Sequence, residues 1–183
     1  MKDVLVFAGL PGTGKSTLAE RMAEELTCPA FAMDWLLGSM VPSRVFDGVD
    51  EARVTTAARG LMAGLMSRQL ILGQSAILDC VIDDKTAEAL RERCKELGGR
   101  FHVFECICSD VSAHEKRVSG RVRGIPGWHE IDWQHVLRMR DAYPPLTAPH
   151  TTLDAVNSVD ENAETVLAAS ADAYSGGAPA DSA

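Results

Sequence analysis

The sequence predicts one α/β domain built on a parallel sheet with helices on both faces. Five short apolar runs, at residues 4–8, 30–33, 75–81, 101–108 and 151–156, have the length of buried strands. Segments with helical periodicity separate them, which is the alternation that crossover connections in a parallel sheet require. Gly9, Asp34, Asp79 and Ser109 each fall at the end of such a run. All four are therefore expected on the carboxyl edge of the sheet, where sheets of this class bind ligands.

The chain has 183 residues, enough for one domain with a sizeable core. Hydrophobic residues at 46% and charged residues at 24% are ordinary for a soluble globular protein. The net charge of −8 argues against a broad nucleic-acid footprint or adhesion to an acidic membrane, while leaving room for a small basic pocket. The chain opens on a strand rather than a secretory signal, and no apolar run is long enough to span a bilayer, so a cytoplasmic location is expected. Cys28, Cys80, Cys94, Cys106 and Cys108 are odd in number and form no C-x-x-C pair. Buried thiols in a reducing compartment are expected of them, with Cys106 and Cys108 on one face of a strand.

The elements follow in order. After the run at 4–8, Leu18, Met22 and Leu26 repeat at helical spacing. The second strand stops at Asp34, a short helix starts at Trp35 and ends near Pro42, and residues 43–50 read as loop. Residues 51–72 read as a helix with Val54, Ala58, Leu61, Leu65 and Leu72 as its apolar stripe. Gly60 and Gly64 weaken that helix and are expected to mark close packing or a bend, and Gly73 is a C-cap. Asp83 or Asp84 caps the next helix, which Gly98 and Gly99 close. Beyond the run at 101–108, Ser109 and Asp110 cap a basic helix carrying His114, Lys116, Arg117, Arg121 and Arg123. Residues 124–127 form a loop around Pro126, residues 132–141 a further helix, and Pro144, Pro145 and Pro149 bound another loop. Asp160 opens the last helix, to about residue 171. A single domain over 1–174 and a low-complexity, disordered tail over 175–183 are expected.

Residues 9–16, GLPGTGKS, fit the pattern G-x-x-x-x-G-K-[ST], between an apolar strand and a helix as that motif requires. A helix N-terminus has unpaired N–H groups and about half a positive charge. Gly9, Gly12 and Gly14 let the backbone curl until successive N–H groups face one centre, an anion-binding nest. Lys15 adds a full charge at the β/γ-phosphates, and the Ser16 hydroxyl is placed for Mg²⁺. Pro11, Thr13 and Thr17 complete the candidate nucleotide-binding loop.

Asp79 ends an apolar strand beside this loop. It suits the Mg²⁺ shell, usually reached through water; the plainer alternative is a turn-capping Asp. Asp34 could accept the proton of an attacking hydroxyl, or cap the helix that starts at Trp35. Arg117 and Arg121, four apart, are expected on one helical face, and with Arg123 they form the densest basic cluster in an acidic chain. Guanidinium groups neutralise the charge that phosphoryl transfer spreads over the equatorial oxygens; a solvated basic face is the alternative. Arg53, Arg59 and His129 could reach a substrate, but the surface reading is favoured for each. Trp35, Trp128 and Trp133 could line an acceptor pocket or pack in the core. His114, His135 and the tail carry no functional signal.

With these residues the chain resembles small P-loop kinases of the nucleoside-monophosphate-kinase-like superfamily. Within it, the chain is most similar to the zeta-toxin and chloramphenicol-phosphotransferase-like branch, the AAA-type P-loop kinases. The likeness rests on Gly9 to Ser16, on Asp34, on Gly73 followed by the strand that ends in Asp79, and on Arg117-Val118-Ser119-Gly120-Arg121, which is similar to the R-[IV]-x-G-R edge of a kinase lid. It spans roughly residues 3–171, and only the phosphate loop is highly specific. The resemblance implies ATP as donor, strand order 2-3-1-4-5 and a short lid. It implies Arg117 near the adenine, Arg121 near the phosphates, and Asn157 and Ser158 bordering the adenine. In chloramphenicol-phosphotransferase-like members, an Asp in the place of Asp34 acts as the base. The chain departs from the superfamily in lacking a lid insertion, zinc cysteines and a separate nucleobase-reading segment, and residues 43–50 match no named pattern.

The expected function is an ATP- and Mg²⁺-dependent kinase acting on a hydroxyl of a small molecule such as an antibiotic or sugar-like metabolite, as a monomer or homodimer, with no nucleic-acid or membrane partner. Lys15, Ser16 and Asp79 would hold phosphates and metal, Asp34 would activate the acceptor, and Arg121 with Arg117 or Arg123 would stabilise the group in transfer. Rival readings are a kinase for nucleotides, nucleotide sugars or polynucleotide ends, and a non-catalytic nucleotide-binding switch or toxin component.

Overall fold

The structure, a computed structural model, describes residues 2–175. Five strands, β1 (Lys2–Ala8), β2 (Ala30–Ala32), β3 (Ala76–Cys80), β4 (Gly99–Ile107) and β5 (Thr151–Asp154), form one parallel sheet in the order β2-β3-β1-β4-β5. The helices are α1 (Lys15–Leu26), α2 (Met33–Met40), α3 (Glu51–Ile71), α4 (Asp84–Glu96), α5 (Val111–Ser119), α6 (Trp133–Ala142) and α7 (Val159–Ser175), with a 3-10 turn at Val41–Ser43.

The sheet is buried on both faces because its strands are apolar on both sides. Along β1, Val4, Val6 and Ala8 enter a core with Met62, Met66 and Leu70 of α3 and Leu90 of α4. Leu5 and Phe7 face the other way, onto Leu18 and Met22 of α1 and Val166 of α7. A parallel strand covered on both faces reads as a continuous apolar run, which is why β1 and β3 were legible. Asp50, Asp83, Asp110 and Asp132 cap α3, α4, α5 and α6, each carboxylate accepting the backbone N–H three residues on.

Several expectations are corrected. The buried face of α3 is Ala58, Met62, Met66 and Leu70, whereas Leu61 and Leu72 are exposed. Methionine fills irregular core space as well as leucine does, so a stripe chosen on leucines is rotated from the true one. A Cβ at Gly60 or Gly64 would meet nothing within 4 Å, so neither marks close packing. Gly73 does terminate α3: its φ is +80°, its N–H donates to Leu70 O, and Gln74 N–H donates to Gln69 O. Gly99 belongs to β4 rather than to a helix end. The basic helix stops at Ser119, so Arg121 and Arg123 follow α5 in an irregular segment and share no helical face with Arg117. Gly120, with Gly124 and Pro126 beyond it, gives the helix no favourable continuation. Asp34 is the second residue of α2, whose N-cap is Ala32, so Asp34 is not the cap. Helix α7 runs to Ser175, and residues 176–183 of the expected tail lie outside the described residues. Among the five free cysteines, only Cys80, Cys94 and Cys106 are buried. Burial pushes the thiols of Cys80 and Cys106 up to about 12 and that of Cys94 to about 11.

Candidate nucleotide-binding site

The loop between β1 and α1 is shaped by contacts that leave no room for side chains at its glycines. A Cβ at Gly9 would lie 2.2 Å from Cys106 O. At Gly12, where φ is +86°, a Cβ would lie 2.5 Å from Val118 Cγ2 and about 3.1 Å from the His114 ring. The Thr13 hydroxyl turns inward and donates to Leu10 O at 2.8 Å. His114 of α5 is buried beneath the loop, with Nε2 2.8 Å from Pro11 O. A carbonyl accepts, so Nε2 carries the proton. Burial lowers the pKa of His114, and nearby Arg140 and Arg117 add to the effect against the Pro11 bond, so the ring is held neutral. Sequence reasoning missed this residue: a single histidine on a basic helix carries no signal of what it will face.

The register brings the acids to the loop. Asp79 pairs with Phe7 of β1 on one side and Ala32 of β2 on the other, two residues before Asp34. Lys15 and Asp79 are nearly inaccessible, 5% and 6% exposed. Lys15 has no ion pair among the described residues, and Asp79 Oδ1 is buried without a hydrogen-bond donor. A buried carboxylate oxygen left without a donor is costly unless a ligand completes it.

One cavity of about 480 Å³ runs along this edge. Gly12, Thr13, Gly14, Lys15, Ser16 and Thr17 line its floor. Asp34, Trp35 and Asp79 border it on the β2–β3 side, and Arg117, Arg121, Arg123 and Asn157 on the other. Trp35 is half-exposed there. Arg117 is anchored by donating to Ala155 O at 2.8 Å. Arg123 forms an ion pair with Asp34 across the cavity, and its backbone N–H donates to Glu130 at 2.9 Å, which ties the segment after α5 over the site. The pKa of Arg121 is lowered, chiefly by burial and then by Arg123, against the pull of Asp34, Asp79 and Glu130. The guanidinium nevertheless remains charged at neutral pH.

Other expected site residues lie elsewhere. Gly9 and Pro11 shape the loop without lining this cavity. Arg53 is exposed at the start of α3 and pairs with Asp50 at 3.3 Å. Trp128 packs against Gly38 of α2 and stacks on His129, outside the cavity. Arg59 pairs with Asp83 at 2.9 Å. Trp133 meets the His114 ring edge-on, with Arg140 over its own face.

The AAA_33 family of AAA domains matches residues 4–146, from β1 to the loop before β5. The chain belongs to this family. Among solved structures it is similar to a sugar kinase from Janibacter sp., with a TM-score of 0.67 and 17% identity over 92% of this chain and 94% of that one. A gluconokinase from Sinorhizobium meliloti aligns with a TM-score of 0.66 and 17% identity over 94% and 95% of the two chains. Kti12 from Chaetomium thermophilum, solved in complex with ADP-AlF3, aligns with a TM-score of 0.61 and 17% identity over 91% and 98%. At these identities the common property is the fold, which is the P-loop kinase fold expected from the phosphate loop and the strand-end acids. Among the described residues no helix is long and apolar enough to cross a membrane.

Proposed function

We propose that the protein is a phosphotransferase that moves the γ-phosphate of ATP to a hydroxyl of a small molecule. The observation that carries this reading is the cavity itself, which brings a phosphate loop, two strand-edge carboxylates and three arginines to one place. The loop N–H groups and Lys15 would hold the β- and γ-phosphates. The orphan Oδ1 of Asp79 and the Ser16 hydroxyl are oxygen donors that fit Mg²⁺, which takes few protein ligands and keeps its waters. When bound, the ion neutralises charge on the phosphates. Asn157 and Arg117 would border the base.

Asp34 takes the proton of the acceptor hydroxyl. As that oxygen bonds the γ-phosphorus, the bridging bond breaks and ADP leaves. Asp34 is engaged by Arg123, so the acceptor must draw Arg123 aside before proton transfer. Arg121, already partly desolvated, then faces the charge that develops on the transferring group. Trp35 offers an exposed aromatic face to the acceptor, which suits a sugar-like or ring-bearing molecule.

The test is ADP release against a panel of hydroxylated antibiotics, sugars and nucleosides. Asp34→Asn is expected to abolish transfer while ATP affinity stays within about threefold, since an Asn at this edge leaves the phosphate loop intact. Full turnover in that variant removes Asp34 as base. The ion pair that occupies Asp34 also favours a second reading, a nucleotide-binding switch. ATP binding with no phosphorylated product across the panel would select it.

A further inference from the structure

Asp34 and Arg123 meet from two elements that are clamped together. Asp34 stands in the first turn of α2, and Arg123 in the strap of residues 120–132 that joins α5 to α6. A Cβ on Gly38 of α2 would lie 2.7 Å from both Ile125 Cγ2 and Pro126 O. One on Gly127 of the strap would lie 2.8 Å from Gly38 O and 3.0 Å from Val41 Cβ. The strap therefore rests on α2 with no room for a side chain at either glycine, one turn beyond Asp34. The Arg123 N–H bond to Glu130 folds the strap back on itself.

Within this clamp the Arg123 side chain is 8% exposed and that of Asp34 34%. Their ion pair is the only hydrogen-bonding contact of either side chain among the described residues. The Arg121 side chain, in the same cavity, has no ion pair or hydrogen bond among those residues, and its charge opposes that of Arg123. Breaking a buried ion pair by taking away one partner leaves an uncompensated charge, which is strongly unfavourable. With the strap pinned to α2, Arg123 cannot swing into water to avoid that loss.

A neutral hydroxyl therefore cannot take Asp34 from Arg123. An acceptor that also brings a carboxylate can, because it exchanges one carboxylate for another on the guanidinium and leaves Asp34 free for the hydroxyl proton. Since Asp34 and Arg123 are in direct contact, the two groups must lie close together on the acceptor, as in an α- or β-hydroxy acid.

We propose that Arg123 is the carboxylate subsite of the acceptor site, and that the acceptor is a hydroxy acid whose carboxylate replaces Asp34 on Arg123. The identity of the acceptor rests on the phosphotransfer reading; the exchange on Arg123 does not, and is testable without turnover. The test follows the Arg123 Nε–H resonance, assigned by its loss in Arg123→Lys, in the full chain with Mg²⁺ and ADP. The probes are acetate and its neutral analogue acetamide, at ionic strength matched with chloride. Acetate is expected to shift the resonance saturably and acetamide to leave it in place. In Asp34→Asn, where the competing carboxylate is gone, acetate is expected to bind about tenfold more tightly. With a non-hydrolysable ATP analogue in place of ADP the acetate response should persist. No saturable shift, equal responses to the two probes, or an acetate affinity unchanged in Asp34→Asn overturns the proposal. An acetate response lost with the ATP analogue overturns it too, by placing Arg123 on the γ-phosphate. In the ADP-release panel, glycerate should exceed glycerol at least about tenfold in kcat/KM, and Arg123→Gln should bring the two within about threefold. Faster turnover of the neutral member counts against the subsite. No product from any compound, while acetate still shifts Arg123, ends the phosphotransfer reading and leaves the carboxylate site standing.

Discussion

Replacing Gly12 by alanine tests whether the loop is shaped by the helix beneath it. The φ of +86° puts an L-residue in the left-handed region, at about 1–2 kcal/mol. The new Cβ would stand 2.5 Å from Val118 Cγ2, where carbon atoms prefer about 3.5–4.0 Å. Val118 is buried and His114 blocks the other side, so relief requires moving α5 against the loop, an overpacking cost of about 1–3 kcal/mol. The total is about 2–5 kcal/mol, a large part of a domain's usual stability. Urea unfolding should show it as a lower midpoint at unchanged slope. Val118→Ala alone should cost about 1.5 kcal/mol for the lost methyl groups. The double variant should be more stable than the sum of the two by about 1–2 kcal/mol, because the clash is removed and only the dihedral strain stays. Additivity within about 0.5 kcal/mol, or a Gly12→Ala protein as stable as the parent, would refute the idea that α5 sets the loop.

Other expectations follow from the same packing. His114 has a folded pKa below its unfolded value, so the unfolded chain binds more protons; its contribution is complete above about pH 6.5 and is lost as pH falls. Urea midpoints at pH 7.5 and 5.5 should therefore differ less in His114→Gln than in the parent, and an unchanged difference would count against the buried neutral ring. In urea unfolding Gly60→Ala and Gly64→Ala, in open helix interior, should each stabilise by about 0.5–1 kcal/mol, while Gly73→Ala, at φ +80°, should destabilise by about 1 kcal/mol. In native protein a thiol reagent should modify Cys108 first and Cys28, whose thiol burial pushes up to about 11, more slowly. Cys80, Cys94 and Cys106 should react only on unfolding, and early modification of any of the three would contradict the packing.

Periodicity was enough for the elements whose burial is uniform. β1 and β3 are covered on both faces and read as unbroken apolar runs, and the caps of α4 and α5 were narrowed to Asp83 or Asp84 and to Ser109 and Asp110, of which Asp83 and Asp110 accept the capping bonds. It failed where residue identity does not reveal environment. Met62 and Met66, rather than Leu61 and Leu65, turned out to anchor α3, and Arg121 lay beyond the end of its helix.

For the site, the local pattern by itself determined the phosphate loop and named the acids at the strand ends, because a glycine-rich turn between strand and helix is a short-range feature whose chemistry is set by neighbours in the chain. Tertiary structure alone decided the rest. It set Asp79 beside the strand that leads to Asp34, closed Arg123 onto Asp34 from 89 residues away, and slid His114 under Pro11 from 103 residues away. Contacts of that range depend on sheet order and on where helices stop, and no local pattern of residues records either.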